Sequence, residues 1–147
     1  MAPLIALVAG TALARLAGLA GVAPLDGWHP ALRVGLALMF TLTGVAHFTG
    51  RRADLVAMVP PALPRPDLLV TLTGALELLG AAALLVPATA RWAAAGLALL
   101  MLAMFPANVS AARRGLTLAG RPVTPLATRT VLQVVFVAAA VAISFGA

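Results

Sequence analysis

Cysteine and lysine are both absent from the 147 residues of this chain. Without cysteine the protein cannot form a disulfide, a thiolate metal site or an iron–sulfur cluster, which excludes a thiol oxidoreductase that works through its own cysteine pair. Acidic residues are also scarce, at 4 against 10 basic residues, all of them arginine. Because the arginines are scattered between apolar runs rather than gathered on one face, we expect no nucleic-acid partner.

Long apolar runs are what the chain has in abundance. Hydrophobic residues make up 63% of the sequence, charged residues 10%, and the mean hydropathy is +1.08. A water-soluble domain of this size would need a more polar surface, so the natural surroundings are a lipid bilayer. The sequence predicts a single transmembrane domain over residues 1–147, an all-α antiparallel bundle with helices at about 3–23, 31–50, 68–86, 91–109 and 125–145.

Two of these runs carry unusual features. Pro106 lies well inside the fourth run, where we expect it to kink the helix or end it early. The end of the first run loosely resembles a signal-peptidase site, but Arg15 interrupts it and Pro24 follows directly, so we expect a retained helix. Its small residues recur every four positions and predict a flat face for close helix packing; they are Ala6, Gly10, Ala14 and Gly18.

The arginines predict an orientation. Seven lie in the loops 51–67 and 111–129, whereas Arg33 and Arg91 mark the opposite side. By the positive-inside rule both arginine-rich loops are cytoplasmic and the C-terminus lies outside. The first of these loops has a short apolar turn, Leu55–Val59, followed by a proline-rich stretch. We expect a brief interfacial helix there, acting either as a rigid connector or as a lid over the helix ends.

Glu77 is the only glutamate, and it lies in the middle of the apolar run Leu68–Val86. At about 1.5 Å per residue it is roughly 13 Å from Leu68, close to the middle of a hydrocarbon core about 30 Å thick. A carboxyl group at that depth costs several kcal/mol and usually marks a functional site or a buried partner. Glu77 is therefore either a site residue or a packing residue bonded to a neighbouring helix.

Other polar residues are expected near the cytoplasmic ends of the helices. His47, Asn108, Arg129 and Gln133 could line one pocket with Glu77, since outward-facing polar groups are costly in lipid. The tetrapeptide TLTG occurs at 41–44 and again at 71–74, which adds two threonines, Thr41 and Thr73, to the candidates. If the second and third runs touch, Thr41 should lie at the depth of Glu77 and is its expected partner. Arg129 is expected to anchor its helix at the membrane surface or to reach inward to Glu77.

Histidine offers no metal site in this arrangement. His29 and His47 are predicted at opposite faces of the membrane, which excludes ligation of one haem by both within a single chain. We therefore expect no metal.

Several short motifs, taken in order, resemble the DoxX family of small bacterial membrane proteins. They are GVAHF (44–48), MVPPALP (58–64), TGALELLGAAALL (73–85), RxAAxGLALL (91–100), FPANV (105–109) and RTVLQVVF (129–136). The resemblance covers about residues 31–141 and implies a four-helix bundle in the bacterial inner membrane, to which the first helix is an addition. It places the family's recurring polar positions on His47, Glu77, Asn108 and Gln133. The family takes its name from a subunit of quinone-linked oxidase systems.

Three functions are consistent with these features. The first is a redox-associated membrane component that binds a quinone or another apolar molecule, with His47 bonding a carbonyl oxygen and Glu77 carrying a proton. The second is a non-catalytic scaffold that holds a cytoplasmic oxidoreductase at the membrane through the arginine-rich loops. The third is proton-coupled passage of a small solute, for which five helices would require a homodimer. The sequence does not decide whether the protein is an enzyme.

Overall fold

The computed structural model describes residues 1–146 and shows an all-α protein with one short hairpin. Its helices are α1 (Ala2–Leu19), α2 (Trp28–Ala46), α3 (Arg52–Met58), α4 (Pro66–Leu85), α5 (Pro87–Arg113) and α6 (Leu126–Phe145), and a 3₁₀ turn spans Ala23–Leu25. All of the α-helices except the short α3 are long and apolar enough to cross a membrane. The five predicted spans are thus confirmed as helices, with ends that differ by a few residues from those expected.

Helix α5, which corresponds to the fourth predicted span, departs most from its predicted limits of 91–109. It begins at Pro87, where a proline suits the first turn, and continues through Pro106 to Arg113. Of the two effects expected of Pro106, an early end of the helix is therefore wrong, and a kink stays a prediction. At about 1.5 Å per residue its 27 residues extend roughly 40 Å, so α5 projects beyond a hydrocarbon core about 30 Å thick.

Helix α2 lies at the centre of the bundle. It contacts α1, α4 and α6, while α5 contacts α4 and α6, so α2, α4, α5 and α6 form a closed ring with α1 outside on α2. The largest fully buried side chains come from this ring: Leu36, Met39, Leu84 and Ile143. The arrangement is a four-helix core with an additional N-terminal helix.

The small-residue face of α1 packs on α2, as its spacing predicts. Gly10, Ala14 and Gly18 are buried. A Cβ atom added to Gly10 would lie 3.0 Å from the Cα of Gly35, and one added to Gly35 would lie 2.5 Å from the carbonyl oxygen of Leu7, which is closer than real Cβ atoms approach a backbone. Glycine is therefore what lets the two backbones approach each other.

Two ends of the bundle can be distinguished by their side chains. The arginine end comprises residues 51–67 and 111–129, and the opposite end carries Trp28 and Trp92, both strongly exposed. Exposed tryptophans near helix starts are typical of the boundary between lipid and water. At this opposite end Arg33 Nε donates to the carbonyl oxygen of Leu84 at 2.8 Å, which joins α2 to the last turn of α4.

A platform built from α3 and a β-hairpin covers the arginine end. The interfacial helix expected at Leu55–Val59 is present as α3, whereas the hairpin of β1 (Thr117–Leu118) and β2 (Arg121–Pro122) was not predicted. Its two-residue turn has positive φ at both positions, 51° at Ala119 and 73° at Gly120. Such turns match the twist of a hairpin, and alanine is an unusual residue in the first position.

Candidate functional site

Glu77 lies on the buried face of α4, against α2. Its side chain is 4% exposed, and its Oε2 accepts a hydrogen bond of 2.5 Å from the hydroxyl of Thr43. Among the described residues no other group donates to this carboxyl, and no arginine pairs with it. The carboxyl therefore keeps one oxygen, Oε1, without a hydrogen-bond partner from the protein.

The partner of Glu77 is Thr43 and not Thr41, which corrects the pairing expected from the TLTG repeat. Thr41 is exposed, and its hydroxyl donates to the carbonyl of Ala37 in its own helix. Residues two apart on a helix point about 200° away from each other, so only one of the two threonines can face α4. Thr43 follows Phe40 by three residues and precedes His47 by four, so it shares the buried face of α2; that spacing could have identified it.

The register between α2 and α4 also differs from the one expected from the TLTG repeat. A Cβ atom added to Gly44 would lie 3.3 Å from the Cβ of Glu77, and one added to Gly74 would overlap the side chain of His47. Gly44 therefore lies opposite Glu77, three residues further along α2 than the position expected for Thr41. At about 1.5 Å per residue the shift is roughly 4.5 Å. The other candidate threonine, Thr73, bonds within its own helix, to Leu69, at 2.9 Å.

His47 lies just beyond the end of α2 and is 4% exposed. Its Nδ1 is 2.9 Å from the carbonyl oxygen of Thr43. Since a carbonyl oxygen can only accept, Nδ1 carries the proton, and Nε2 of the neutral ring is an acceptor. In this form His47 cannot donate to the carbonyl oxygen of a quinone, but it could accept a proton from a hydroxyl group.

Arg52 closes the arginine end of this cluster. Its guanidinium donates to the carbonyl oxygen of His47 at 3.0 Å, to that of Asp67 at 3.1 Å and to the hydroxyl of Thr71 at 3.0 Å. One side chain at the start of α3 thereby joins the end of α2 to the first turns of α4. In the sequence Arg52 is recognisable only as one of the arginines that predict orientation, because no pattern separates it from the neighbouring Arg51.

The remaining candidates form a second cluster, between α5 and α6. Arg129 donates to the side-chain oxygen of Asn108 at 2.5 Å and to the carbonyl oxygen of Thr124 at 3.0 Å. Gln133, one turn further along α6, donates to the carbonyl oxygen of Met101 at 2.8 Å. Arg129 therefore bonds at its own end of the bundle and does not reach Glu77.

The sequence candidates are thus held in two clusters that no hydrogen bond joins within residues 1–146. Every fully enclosed side-chain polar atom in this part of the chain has a partner, so Glu77 Oε1, which has none, is not fully enclosed. Two open cavities, of about 300 and 390 Å³, lie at the base of the hairpin and on the outer side of the α4–α5 contact, and neither is lined by His47, Glu77, Asn108 or Gln133. That these residues share one ligand pocket stays a prediction.

The platform is held firmly and is strongly cationic. Asp54 on α3 accepts from the backbone N–H of Ala119 at 2.9 Å, and Arg114 at the end of α5 donates to the carbonyl oxygens of Ala57 and Val59. These bonds tie α3 to the hairpin and to α5. Three further arginines are exposed and form no ion pair with any described residue: Arg65, Arg113 and Arg121.

Five long apolar helices with few charged residues define a multi-pass α-helical membrane protein. Residues 36–144 match the family described as domain of unknown function DUF8561, and the chain belongs to that family. The match begins inside α2, so α1 lies outside it. No curated protein and no solved structure matches the chain.

Proposed function

We propose that this protein is a membrane anchor subunit that holds a soluble partner at the cytoplasmic face of a bacterial inner membrane. The observation that carries the proposal is the charge of the arginine end, where the platform and the adjoining ends of α4 and α5 carry three arginines without acidic partners among the described residues, Arg65, Arg113 and Arg121. Exposed, unpaired guanidinium groups suit an acidic protein surface, because a planar guanidinium can donate two parallel hydrogen bonds to one carboxylate. The role is non-catalytic for this chain.

The distribution of the arginines between the two ends of the bundle supports the proposal. Loops 51–67 and 111–129 hold seven of the ten arginines, and Arg15, Arg33 and Arg91 belong to the opposite end. The charge bias favours a cytoplasmic platform and an external C-terminus. Fusions test this directly: a periplasm-dependent reporter should be active after Phe145 and inactive when inserted at Gly120.

The proposed class of partner rests on the motifs that resemble those of the DoxX family. Those motifs fall within the chain from GVAHF to RTVLQVVF, and the resemblance makes a cytoplasmic oxidoreductase the expected partner. The chain itself has no cysteine to supply a redox centre. Electron transfer would therefore take place in the partner, with this chain fixing its position.

Affinity purification from native membranes tests the anchor role. Glutamine at Arg65, Arg113 and Arg121 should abolish recovery of a water-soluble acidic protein with the tagged chain, while glutamine at Arg91 should leave it unchanged. Arg91 is a matched control because it is also exposed but lies at the opposite end. Equal recovery by the wild type and the triple variant would refute docking through these arginines.

A second candidate function is favoured by one specific observation, the unpartnered Oε1 of Glu77. A protonated carboxyl there could donate to a carbonyl oxygen of a quinone, and Nε2 of His47 could accept a proton from a quinol hydroxyl. A ligand of this kind should raise the unfolding temperature of the wild type and raise it less in Glu77→Gln. No change in either protein over a range of quinones and quinols would remove this candidate.

A further inference from the structure

A groove runs along the outer side of the contact between α4 and α5. Its volume is about 390 Å³, and its lining is almost entirely apolar: Leu76, Gly80, Thr89, Trp92, Gly96 and Leu100. None of the hydrogen-bonded groups assigned to the anchor role or to the Glu77 cluster lines it. The groove is therefore a separate feature of the lipid-facing surface.

The length of the groove matches one leaflet of a bilayer. From Thr89 to Leu100 the helix rises about 16 Å, half of a hydrocarbon core about 30 Å thick. The Thr89 end lies beside Trp92 at the boundary with water, and the Leu76 end lies next in sequence to Glu77, near the middle of the membrane. An acyl chain entering from the opposite end of the bundle could lie against apolar side chains along the groove.

Gly96 keeps the groove open although helix packing does not require a glycine there. A Cβ atom added at Gly96 would meet no other atom within 4 Å, whereas one added at Gly80 would lie 2.6 Å from Leu97. Gly80 thus permits the close approach of α4 to α5. Gly96 instead leaves space that a larger residue would fill.

A cation lies at the mouth of the groove. The guanidinium of Arg91 is 4.8 Å from the centre of the Trp92 ring, whose side chain lines the groove. Arg91 is exposed and forms no ion pair with any residue in the described part of the chain. An arginine held against an aromatic ring at the membrane boundary is placed to bind a phosphate group.

We propose that the α4–α5 groove binds one phospholipid, with an acyl chain in the open space at Gly96 and the headgroup phosphate on Arg91. The inference is independent of the anchor role. It assigns a lipid site to the leaflet opposite the platform, where positive charge is otherwise sparse.

Native mass spectrometry of the protein released from lipid tests this site. The wild type should keep one phospholipid under activation that removes the others. Gly96→Leu and Arg91→Gln should each lower the retained fraction about tenfold. Two matched controls should not: Ala138→Leu, at an exposed position on α6, and Arg121→Gln, at the arginine end.

Thermal unfolding of Gly96→Leu separates filling of the groove from damage to the fold. Since its side chain enters open space, its unfolding temperature in delipidated detergent should equal that of the wild type. Equal retention by the wild type and both groove variants would overturn the proposal. Retention of a molecule without phosphate, such as a quinone, would overturn it as well.

Discussion

Replacing Thr43 with valine tests the contact that links α2 to Glu77. Valine has nearly the shape of threonine but no hydroxyl, so the variant removes the hydrogen bond to Glu77 Oε2 and leaves the buried carboxyl with no protein partner. The loss of such a bond within a membrane bundle costs about 1–2 kcal/mol. At about 2–4 °C per kcal/mol for a chain of this length, the unfolding temperature should fall by about 2–8 °C.

Thr41→Val is the matched control. Its hydroxyl is exposed and bonds only to the carbonyl of Ala37 in its own helix, so its loss should change the unfolding temperature by less than about 1 °C. Unfolding can be followed in lipid nanodiscs by the fluorescence of the two tryptophans. A double-mutant cycle with Glu77→Leu, which removes both acceptor oxygens, should give a coupling of about 1 kcal/mol for Thr43 and none for Thr41. A larger effect at Thr41 than at Thr43 would refute the register described above.

Two other contacts give expectations of the same kind. Gly74→Ala should destabilise the protein by about 1–3 kcal/mol in thermal unfolding, because the added methyl group would overlap the side chain of His47. Gly50→Ala is the control and should be nearly neutral, since nothing lies within 4 Å of the added atom. Equal effects of the two variants would contradict the close α2–α4 contact. Arg52→Gln should speed amide hydrogen exchange throughout α3, because it removes hydrogen bonds to three groups. Arg51→Gln removes only a half-exposed ion pair of 3.5 Å and should leave the exchange rate unchanged. Unchanged exchange in Arg52→Gln would show that Arg52 does not hold α3.

Hydropathy was sufficient to locate the five spans, since each is a long run with few charges. It was not sufficient to set their ends. Helix α5 begins at Pro87 because proline is compatible with a first turn, and it continues past Pro106 in a segment rich in alanine, whose helix propensity is the highest. The sequence does not predict the hairpin, because its turn is Ala-Gly rather than the usual Asn-Gly.

The identity of Glu77 as an interior polar residue could be read from its isolation in an apolar run, but its partner could not be read from the repeat. Thr41 and Thr43 belong to the same tetrapeptide and differ only in the face of α2 that they occupy. That face is set by tertiary packing of Gly44 and Gly74 against the opposite helix. The role of Arg52 likewise depends on where α3 folds back, which no local pattern specifies.

Photo-crosslinking from the hairpin is the most direct test of the anchor role. A photoreactive residue at Ala119, which is exposed beside the unpaired arginines, would be activated in native membranes, with a second one at Ala138 on α6 as a control. If this chain anchors a soluble partner, Ala119 should capture a soluble, acidic protein whose yield falls when Arg113 and Arg121 are changed to glutamine, and Ala138 should capture lipid. Recovery of lipid alone from both positions would refute the anchor role.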